Sequence, residues 1–417
     1  MMDRIDDLVS VILPSYNGER FIADAIASVL SQTYPRIEFI IADDSSSDRT
    51  RSIVSTFKDS RIRFIGNDRN IGLVENLNKG IRASQGGLIC WINQDDRFYP
   101  EKVARQMLAM RGNPKIGVCF TQKDDIDEFG QLHRRFNPSQ IRIQEEDHLI
   151  QLFGGCYLSA PTVMMRRSAY DRLGGFDNRY RIAFDYDMWF RMKKIYDFLI
   201  LNEPLVAFRH HSGNLSSEKN ESIVTSECAA IVRNALNLFK LEEIYPFLQT
   251  IIDRDRRRVE TAACLLALAT LIWRQKKWNL QLAPEVIELV DQTIALVPEM
   301  LGAYEFGESV ADEAGLERHK YRYCSNKLDL INVYYELTGQ LRSSFDQGDA
   351  KAVSEIFNKM YAVCPMNGDP FYQLALLYKK ISDNERAIHY CKNSLTLNND
   401  HTPAQILMAT LSDTSTH

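Results

Sequence analysis

The sequence predicts an α/β protein over its first half and an all-helical region over its second. Three observations carry that expectation. Short β-rich runs alternate with stretches of helical periodicity as far as about residue 220. Acidic pairs stand where several of those runs end. Beyond that point strand signals fade and long helical patterns take over. Strand–helix alternation argues for a mixed, mostly parallel sheet. At 417 residues the chain exceeds what one core usually absorbs, so we expect an α/β domain at 1–220, a helical domain at 221–330 and helical repeats at 331–417.

The elements follow in order. Val9–Leu13 reads as a buried strand. Phe21, Ile22, Ala25, Ile26, Val29 and Leu30 then recur at helical spacing. Ile37–Ala42 is a second strand ending in Asp43-Asp44. Asp48 is placed to cap the next helix, whose inner face carries Ile53, Val54 and Phe57. Ile62–Ile65 and Leu88–Ile92 are further strands, with a helix near Val74–Ala83 between them. Asp185–Lys194 is amphipathic, and Val259–Trp273 and Pro284–Val297 are long helical patterns. Near the end, Phe371, Leu374, Ala375, Tyr378, Ala387, Cys391 and Ser394 fall on positions of a tetratricopeptide unit of about 34 residues. Tyr334–Pro365 is a weaker copy, with Phe357 and Pro365 in register; an ordinary helical hairpin is the plain alternative.

Composition is that of a globular chain, 45% hydrophobic and 25% charged. A net charge of −5 argues against a nucleic-acid binder with a dominant basic field. The eight cysteines, Cys90, Cys119, Cys156, Cys228, Cys264, Cys324, Cys364 and Cys391, form no C-x-x-C pair, which points to a reducing compartment and away from a zinc ribbon. The N-terminus has no apolar signal core, and the run Ala262–Trp273 is shorter than the ~20 residues that span a bilayer. A cytoplasmic protein is expected, with peripheral contact on the inner face of the membrane left open. Arg254–Arg258 reads as a solvated helix face, with contact to anionic lipid as the sharper alternative.

The chemistry lies in three acidic clusters: Asp43-Asp44, Asp95-Asp96, and Asp185 with Asp187. In open α/β sheets ligands sit beyond the carboxyl ends of the strands. Carboxylates gathered there repel one another unless a cation lies between them, and a hard divalent ion carrying a diphosphate answers that need. Taken singly, each pair reads first as a turn or a helix cap; taken together, at these positions, that reading weakens. There is no G-x-G-x-x-G after the first strand and no Walker A sequence, so the ligand is held by other means.

Seven motifs, in order from residue 9 to about 216, resemble glycosyltransferase family 2. They are Val9-Ser-Val-Ile-Leu-Pro-Ser-Tyr-Asn17; Ile40-Ile-Ala-Asp-Asp-Ser-Ser-Ser-Asp48-Arg-Thr50; Asn70-Ile-Gly72 with Asn78-Lys-Gly80; and Trp91-Ile-Asn-Gln-Asp-Asp96. Then come Pro161-Thr162 with Arg166-Arg167 and Gly174-Gly-Phe-Asp177; Asp185-Tyr-Asp-Met-Trp189-Phe-Arg191; and Arg209-His-His211 with Ser216. The resemblance implies the GT-A fold, a Rossmann-like mixed sheet, and an inverting transferase that takes a sugar from a nucleotide-diphosphate donor, expected to be a UDP-sugar. It implies donor contacts at Pro14, Tyr16, Asn17, Glu19, Asp44, Asn70, Gly72, Asn78 and Asp95. It implies Mn²⁺ or Mg²⁺ at Asp96 with His211, and a general base at Asp185, with Asp187 as the alternative.

The chain departs from the family pattern twice. Asn93 stands where the metal motif usually begins with Asp, and Phe184 replaces a Glu before Asp185. An apolar neighbour raises a carboxyl pKa, which suits a base. Trp189 reads as core packing. Asn214-Leu-Ser216 fits a glycosylation sequon that a cytoplasmic chain does not use. The acceptor side is expected in the loops Phe153–Pro161 and Arg179–Phe184. The expected role is bacterial surface polysaccharide or lipopolysaccharide synthesis on a carbohydrate or lipid-linked acceptor, with no nucleic acid. Protein partners or self-association through the C-terminal helices stay open. The alternative is a decayed GT-A domain serving as a scaffold through those helices. A nucleotidyltransferase lacks its Gly-rich basic loop here, and a retaining glycosidase would carry no nucleotide motif.

Overall fold

A computed structural model describes residues 8–137, 148–215, 217–275, 279–298, 300–316, 336–363, 369–397 and 402–413, with 319, 323 and 334 between them. Ser216, Cys324, Cys364 and Pro365 lie outside the described residues. The chain divides into two compact units, Met1–Leu238 and Phe239–His417.

The first unit is built on strands β1 (Val9–Ser15), β2 (Ile37–Asp43), β3 (Ile62–Gly66), β4 (Leu88–Trp91), β5 (Arg97–Phe98), β6 (Ile116–Ile126), β7 (Leu132–Arg134), β8 (Met164–Arg166) and β9 (Asp197–Arg209). They form one sheet in the order β3-β2-β1-β4-β8-β6-β9-β5, with β7 on β6. The long ladders β1–β2, β2–β3, β1–β4 and β6–β9 are parallel; the antiparallel ones, β4–β8, β5–β9, β6–β7 and β6–β8, are short. The sheet is therefore mixed and mostly parallel, with helices following the early strands as alternation predicts.

The helices are α1 (Ile22–Leu30), α2 (Thr50–Thr56), α3 (Leu73–Ala83), α4 (Lys102–Met110), α5 (His148–Phe153), α6 (Arg167–Arg172), α7 (Phe184–Lys193) and α8 (Glu221–Leu238). The face of α1 predicted from spacing is the buried one: Ile22, Ala25, Ile26 and Val29 join Val9, Val11, Phe39 and Ile41 in the core. Each of the Ile and Val side chains among them contributes about 1.5–3 kcal/mol by leaving water. Asp48 does not serve as the N-cap of α2, which is Arg49. It lies one residue earlier, and its carboxylate accepts the Thr50 and Glu19 N–H groups at 2.9 and 3.0 Å.

Gly80 sets how closely α3 lies on the sheet. A Cβ there would stand 2.7 Å from Ile12 Cγ2 and 3.4 Å from the Ala42 Cβ. Ile12 is fully buried and has no room to retreat. Gly80→Ala is therefore expected to lower stability by about 1–3 kcal/mol through overpacking, read as a lower urea midpoint at unchanged m-value.

The helical change of texture expected at residue 220 begins with α8, yet α8 packs within the first unit. The second unit contains α9 (Leu241–Ile244), α10 (Arg254–Trp273), α11 (Ala283–Leu296), α12 (Leu301–Glu313), α13 (Ala350–Val363), α14 (Asp369–Lys380), α15 (Asn384–Leu397) and α16 (Thr402–Asp413). Asp253 caps α10 by accepting the Arg256 N–H at 2.7 Å. In the basic run, Arg257 lies 3.6 Å from Glu242 and Arg256 lies 4.0 Å from Glu260, as on an ordinary solvated face. Ala375, Ala387 and Cys391 are fully buried in one apolar cluster, where small side chains let α14 and α15 meet. No helix among the described residues is long and apolar enough to cross a membrane.

Candidate functional site

A cavity of about 1160 Å³ opens in the first unit beyond the carboxyl ends of β1, β2 and β4. Parallel strands end there without partners and hand the chain to loops, so polar side chains accumulate at that edge. Its wall includes Pro14, Tyr16, Asp44, Asn70, Gly72 and Asp95, and also His211 and Asp185. Both loops expected on the acceptor side reach it, the first through Cys156 and Leu158, the second through Tyr180 and Arg181.

Tyr16 presents a side chain 48% exposed to that space. Its backbone is pinned by Gln94, whose Oε1 accepts the Tyr16 N–H at 3.0 Å and whose Nε2 donates to the Tyr16 carbonyl at 3.1 Å. Gln94 is a site residue that the motif reading passed over, because it occupies the motif's variable position. Asp44 is buried on the cavity wall with both oxygens engaged. Oδ1 accepts from Asn67 Nδ2 and the Ile71 N–H, each at 2.8 Å, and Oδ2 from the Gly72 N–H at 2.9 Å. Gly72, with φ 88°, takes the left-handed conformation that lets the loop present those two amides.

Three residues expected at the donor lie elsewhere. Asn17 and Glu19 do not line the cavity. Asn17 Oδ1 accepts the Ser47 N–H at 2.9 Å, and Glu19 Oε2 accepts the Arg49 N–H at 3.0 Å, so both tie the loop after β1 to the loop after β2. Asn78 is buried behind the site. Its Oδ1 accepts from Tyr170 Oη at 2.6 Å and its Nδ2 donates to the Phe176 carbonyl at 2.9 Å, which clamps the turn at 174–177.

The acidic pair after β4 separates into two roles. Asp95 lines the cavity. Its Oδ2 meets His211 Nε2 at 2.8 Å and Asn214 Nδ2 at 3.3 Å, while Oδ1 takes no hydrogen bond among the described residues. Asp96, expected as the metal ligand, is fully buried and does not line the cavity. Its Oδ1 accepts the Arg209 N–H at 2.9 Å and its Oδ2 accepts from Asn93 Nδ2 at 2.9 Å. Burial, and next the charge of Asp95, push its pKa well above the carboxylate range. Asn93, the departure from the family motif, thus supports a buried carboxyl. His211 accepts the Gly213 N–H on Nδ1 at 3.1 Å, so its Nε2 carries the proton that goes to Asp95.

No group of three or more His, Cys, Asp or Glu side chains among the described residues could enclose a metal. Asp95, with one free carboxylate oxygen on the cavity wall, fits an Mg²⁺- or Mn²⁺-like ion that takes its other ligands from phosphate and water.

Asp185 lies in the first turn of α7 and lines the cavity. Burial raises its pKa from 3.8 to about 7, opposed by the Tyr186 N–H that it accepts at 2.8 Å. Its neighbour Phe184 also lines the cavity and is buried, its ring 5.1 Å from the Phe176 ring and 6.4 Å from Trp91. Asp187 does not reach the cavity. It is paired with Arg191 at 2.6 Å, and Arg191 also donates to the Leu173 and Gly175 carbonyls. Trp189 is fully buried, stacked on Trp91 at 6.1 Å.

The glycosyl transferase family 2 profile matches residues 10–174. An uncharacterized glycosyltransferase of Methanocaldococcus jannaschii is 30% identical over 207 residues, covering 48% of this chain and 70% of that protein. The Escherichia coli enzyme WfgD, a UDP-Glc:alpha-D-GlcNAc-diphosphoundecaprenol beta-1,3-glucosyltransferase, is 28% identical over 216 residues, 52% of this chain and 81% of that protein. Several other relatives are uncharacterized Rickettsia glycosyltransferases, and the chain spans from 36% to 66% of their lengths. Among solved structures, S. aureus TarS 1-349 in complex with UDP-GlcNAc has a TM-score of 0.47 at 16% identity, covering 79% of this chain and 92% of that one.

Proposed function

The chain belongs to glycosyl transferase family 2, and from that premise we propose that it moves a sugar, with inversion, from a UDP-sugar to a hydroxyl of a lipid-linked saccharide. The observation that carries this reading is a single cavity lined by both Asp95 and Asp185. One is a carboxylate with a free oxygen; the other is a carboxyl whose pKa of about 7 suits proton transfer at neutral pH.

In this reading Tyr16 offers its ring to the nucleotide base, while the loop at 70–72, held by Asp44, walls the nucleotide. Asp95 holds a divalent cation, and His211 orients Asp95 through Nε2. Such a cation, Mn²⁺ or Mg²⁺, supplies charge neutralisation of the leaving diphosphate. Asp185 takes the proton of the acceptor hydroxyl as its oxygen bonds to the anomeric carbon and the bond to the diphosphate breaks. One in-line displacement inverts the anomeric centre. The acceptor class is supported by the activity of WfgD, and it implies work at the cytoplasmic face of a membrane in surface polysaccharide synthesis. The buried Ala375, Ala387 and Cys391 support a tetratricopeptide-like hairpin over Asp369–Leu397.

The test is release of UDP from UDP-glucose and UDP-GlcNAc, with Mn²⁺ and with chelator, in the presence of an undecaprenyl-diphosphate-linked GlcNAc acceptor. Metal-dependent release that rises with acceptor is expected. No release with either donor at high enzyme concentration would remove the proposal.

A further inference from the structure

The profile match stops at residue 174, but one side chain from beyond it reaches back to the turn before Asp185. Glu227, on α8, is buried, 9% exposed. Its Oε1 accepts the Arg181 N–H at 2.6 Å, and its Oε2 accepts the Ile182 and Ala183 N–H groups at 2.9 and 2.8 Å. Ala183 is the N-cap of α7 and has no side chain with which to cap it. The leading N–H groups of a helix and of the turn entering it need acceptors from elsewhere. Here a single carboxylate, 44 residues later for Ala183, satisfies three successive amides. Only a carboxylate offers two acceptor-only oxygens in that span. A second tie lies beside it: Asn234, also on α8, donates to Tyr180 Oη at 3.0 Å.

We propose that Glu227 is a positioning residue for Asp185: by holding the backbone of 181–183 it sets where the first turn of α7, and so the Asp185 carboxyl, meets the cavity. The inference rests on reading Asp185 as the base. The same turn contributes Arg181, Ile182 and Ala183 to the cavity wall, and α8 contributes Ile223, Val224 and Cys228. Displacing α8 from this turn would therefore open the wall around Asp185 to water. Among the described titratable groups, Cys156 feels the charge of Asp185, Cys228 and Tyr186 lie beside Cys156, and Arg181 is the cation on the turn.

Glu227→Gln keeps the size of the side chain but turns one acceptor into a donor that faces a backbone N–H. The experiment follows the carboxyl ¹³C signals of aspartate-labelled full-length protein against pH, with the Asp185 signal assigned by its loss in Asp185→Asn. In the wild type that signal is expected to titrate near neutrality. In Glu227→Gln its midpoint is expected to fall toward the ordinary carboxylate range. Amide exchange across 181–183 should be about tenfold faster, the fold-change of one lost charge-assisted bond. Glu227→Asp keeps both oxygens and is expected to fall between the two; it also serves if Glu227→Gln does not fold. A folded variant with an unmoved midpoint and unchanged exchange overturns the inference. A wild-type Asp185 that titrates as an ordinary carboxyl removes the base reading instead, and the exchange at 181–183 then decides Glu227 alone.

Discussion

Asp185→Asn is expected to lower the rate of sugar transfer by about 10²–10⁴-fold, the usual span for removing a general base, while UDP-sugar binding persists. The donor contacts argued above do not involve this side chain. In the wild type the rate should rise with pH through about 7 and level above it, because Asp185 must be ionised to accept the proton and burial holds its pKa there. That limb should vanish in the variant. Stability should move the other way. The folded pKa of Asp185 is raised above its usual 3.8, so the unfolded chain ionises first. Stability is therefore lost as pH rises from about 4 to about 7, and the cost stays constant above that. Asparagine carries no charge to bury, so at pH 8 the variant should be the more stable protein, by on the order of a few kcal/mol. Paired rate and urea-unfolding measurements at pH 6 and 8 check both signs. An inactive variant that is also destabilised at pH 8 would point to misfolding, and an active one would dismiss the base.

Much of this architecture was legible because burial writes itself into apolar runs. β1, β2 and β4 are covered on both faces, so Val9–Leu13, Ile37–Ala42 and Leu88–Ile92 read as strands directly. The longest pair, β6 and β9, was not read. Its two strands change character midway: β6 passes from Val118 and Cys119 to Lys123, Asp124 and Asp125, and its register against β9 shifts on either side of Gln122. A bulged ladder with ion pairs on one edge has neither a period of two nor an apolar run.

The site shows the same limit at the level of single side chains. Motif resemblance located the segments, but Asn17 and Glu19 in their loop and Asn78 on α3 do what a ligand-binding residue also does, which is to hydrogen-bond to backbone and neighbouring side chains. Nothing in the residue type separates the two duties. Glu227 had no local signal, since its partners lie more than forty residues away on another element.

The adjacent pair Asp95-Asp96 is where resemblance and geometry diverge most, and the two carboxylates should respond very differently to substitution. Asp95→Ala is expected to abolish the Mn²⁺-dependent part of UDP-glucose or UDP-GlcNAc binding, because it removes the oxygen that faces the cavity. If the wild type is loaded at about 100 times its dissociation constant, the ligand adds roughly 2.7 kcal/mol to stability, and that increment should be missing in the variant. His211→Ala should weaken metal dependence by about 10–100-fold, since His211 orients Asp95 through a hydrogen bond. Asp96→Asn should leave the metal response in place. Asparagine can still accept the Arg209 N–H on its oxygen and donate to the Asn93 side-chain oxygen once that amide is flipped, and the buried position gains nothing from a charge. Asp96→Ala has neither option; it strands the Arg209 N–H and should cost about 1–3 kcal/mol of stability without touching the metal response. Thermal melts of the four variants, with donor alone and with donor plus Mn²⁺, separate the cases. A metal response lost in Asp96→Asn and kept in Asp95→Ala would return the ion to Asp96, and would require the turn at 93–96 to rearrange when the donor binds.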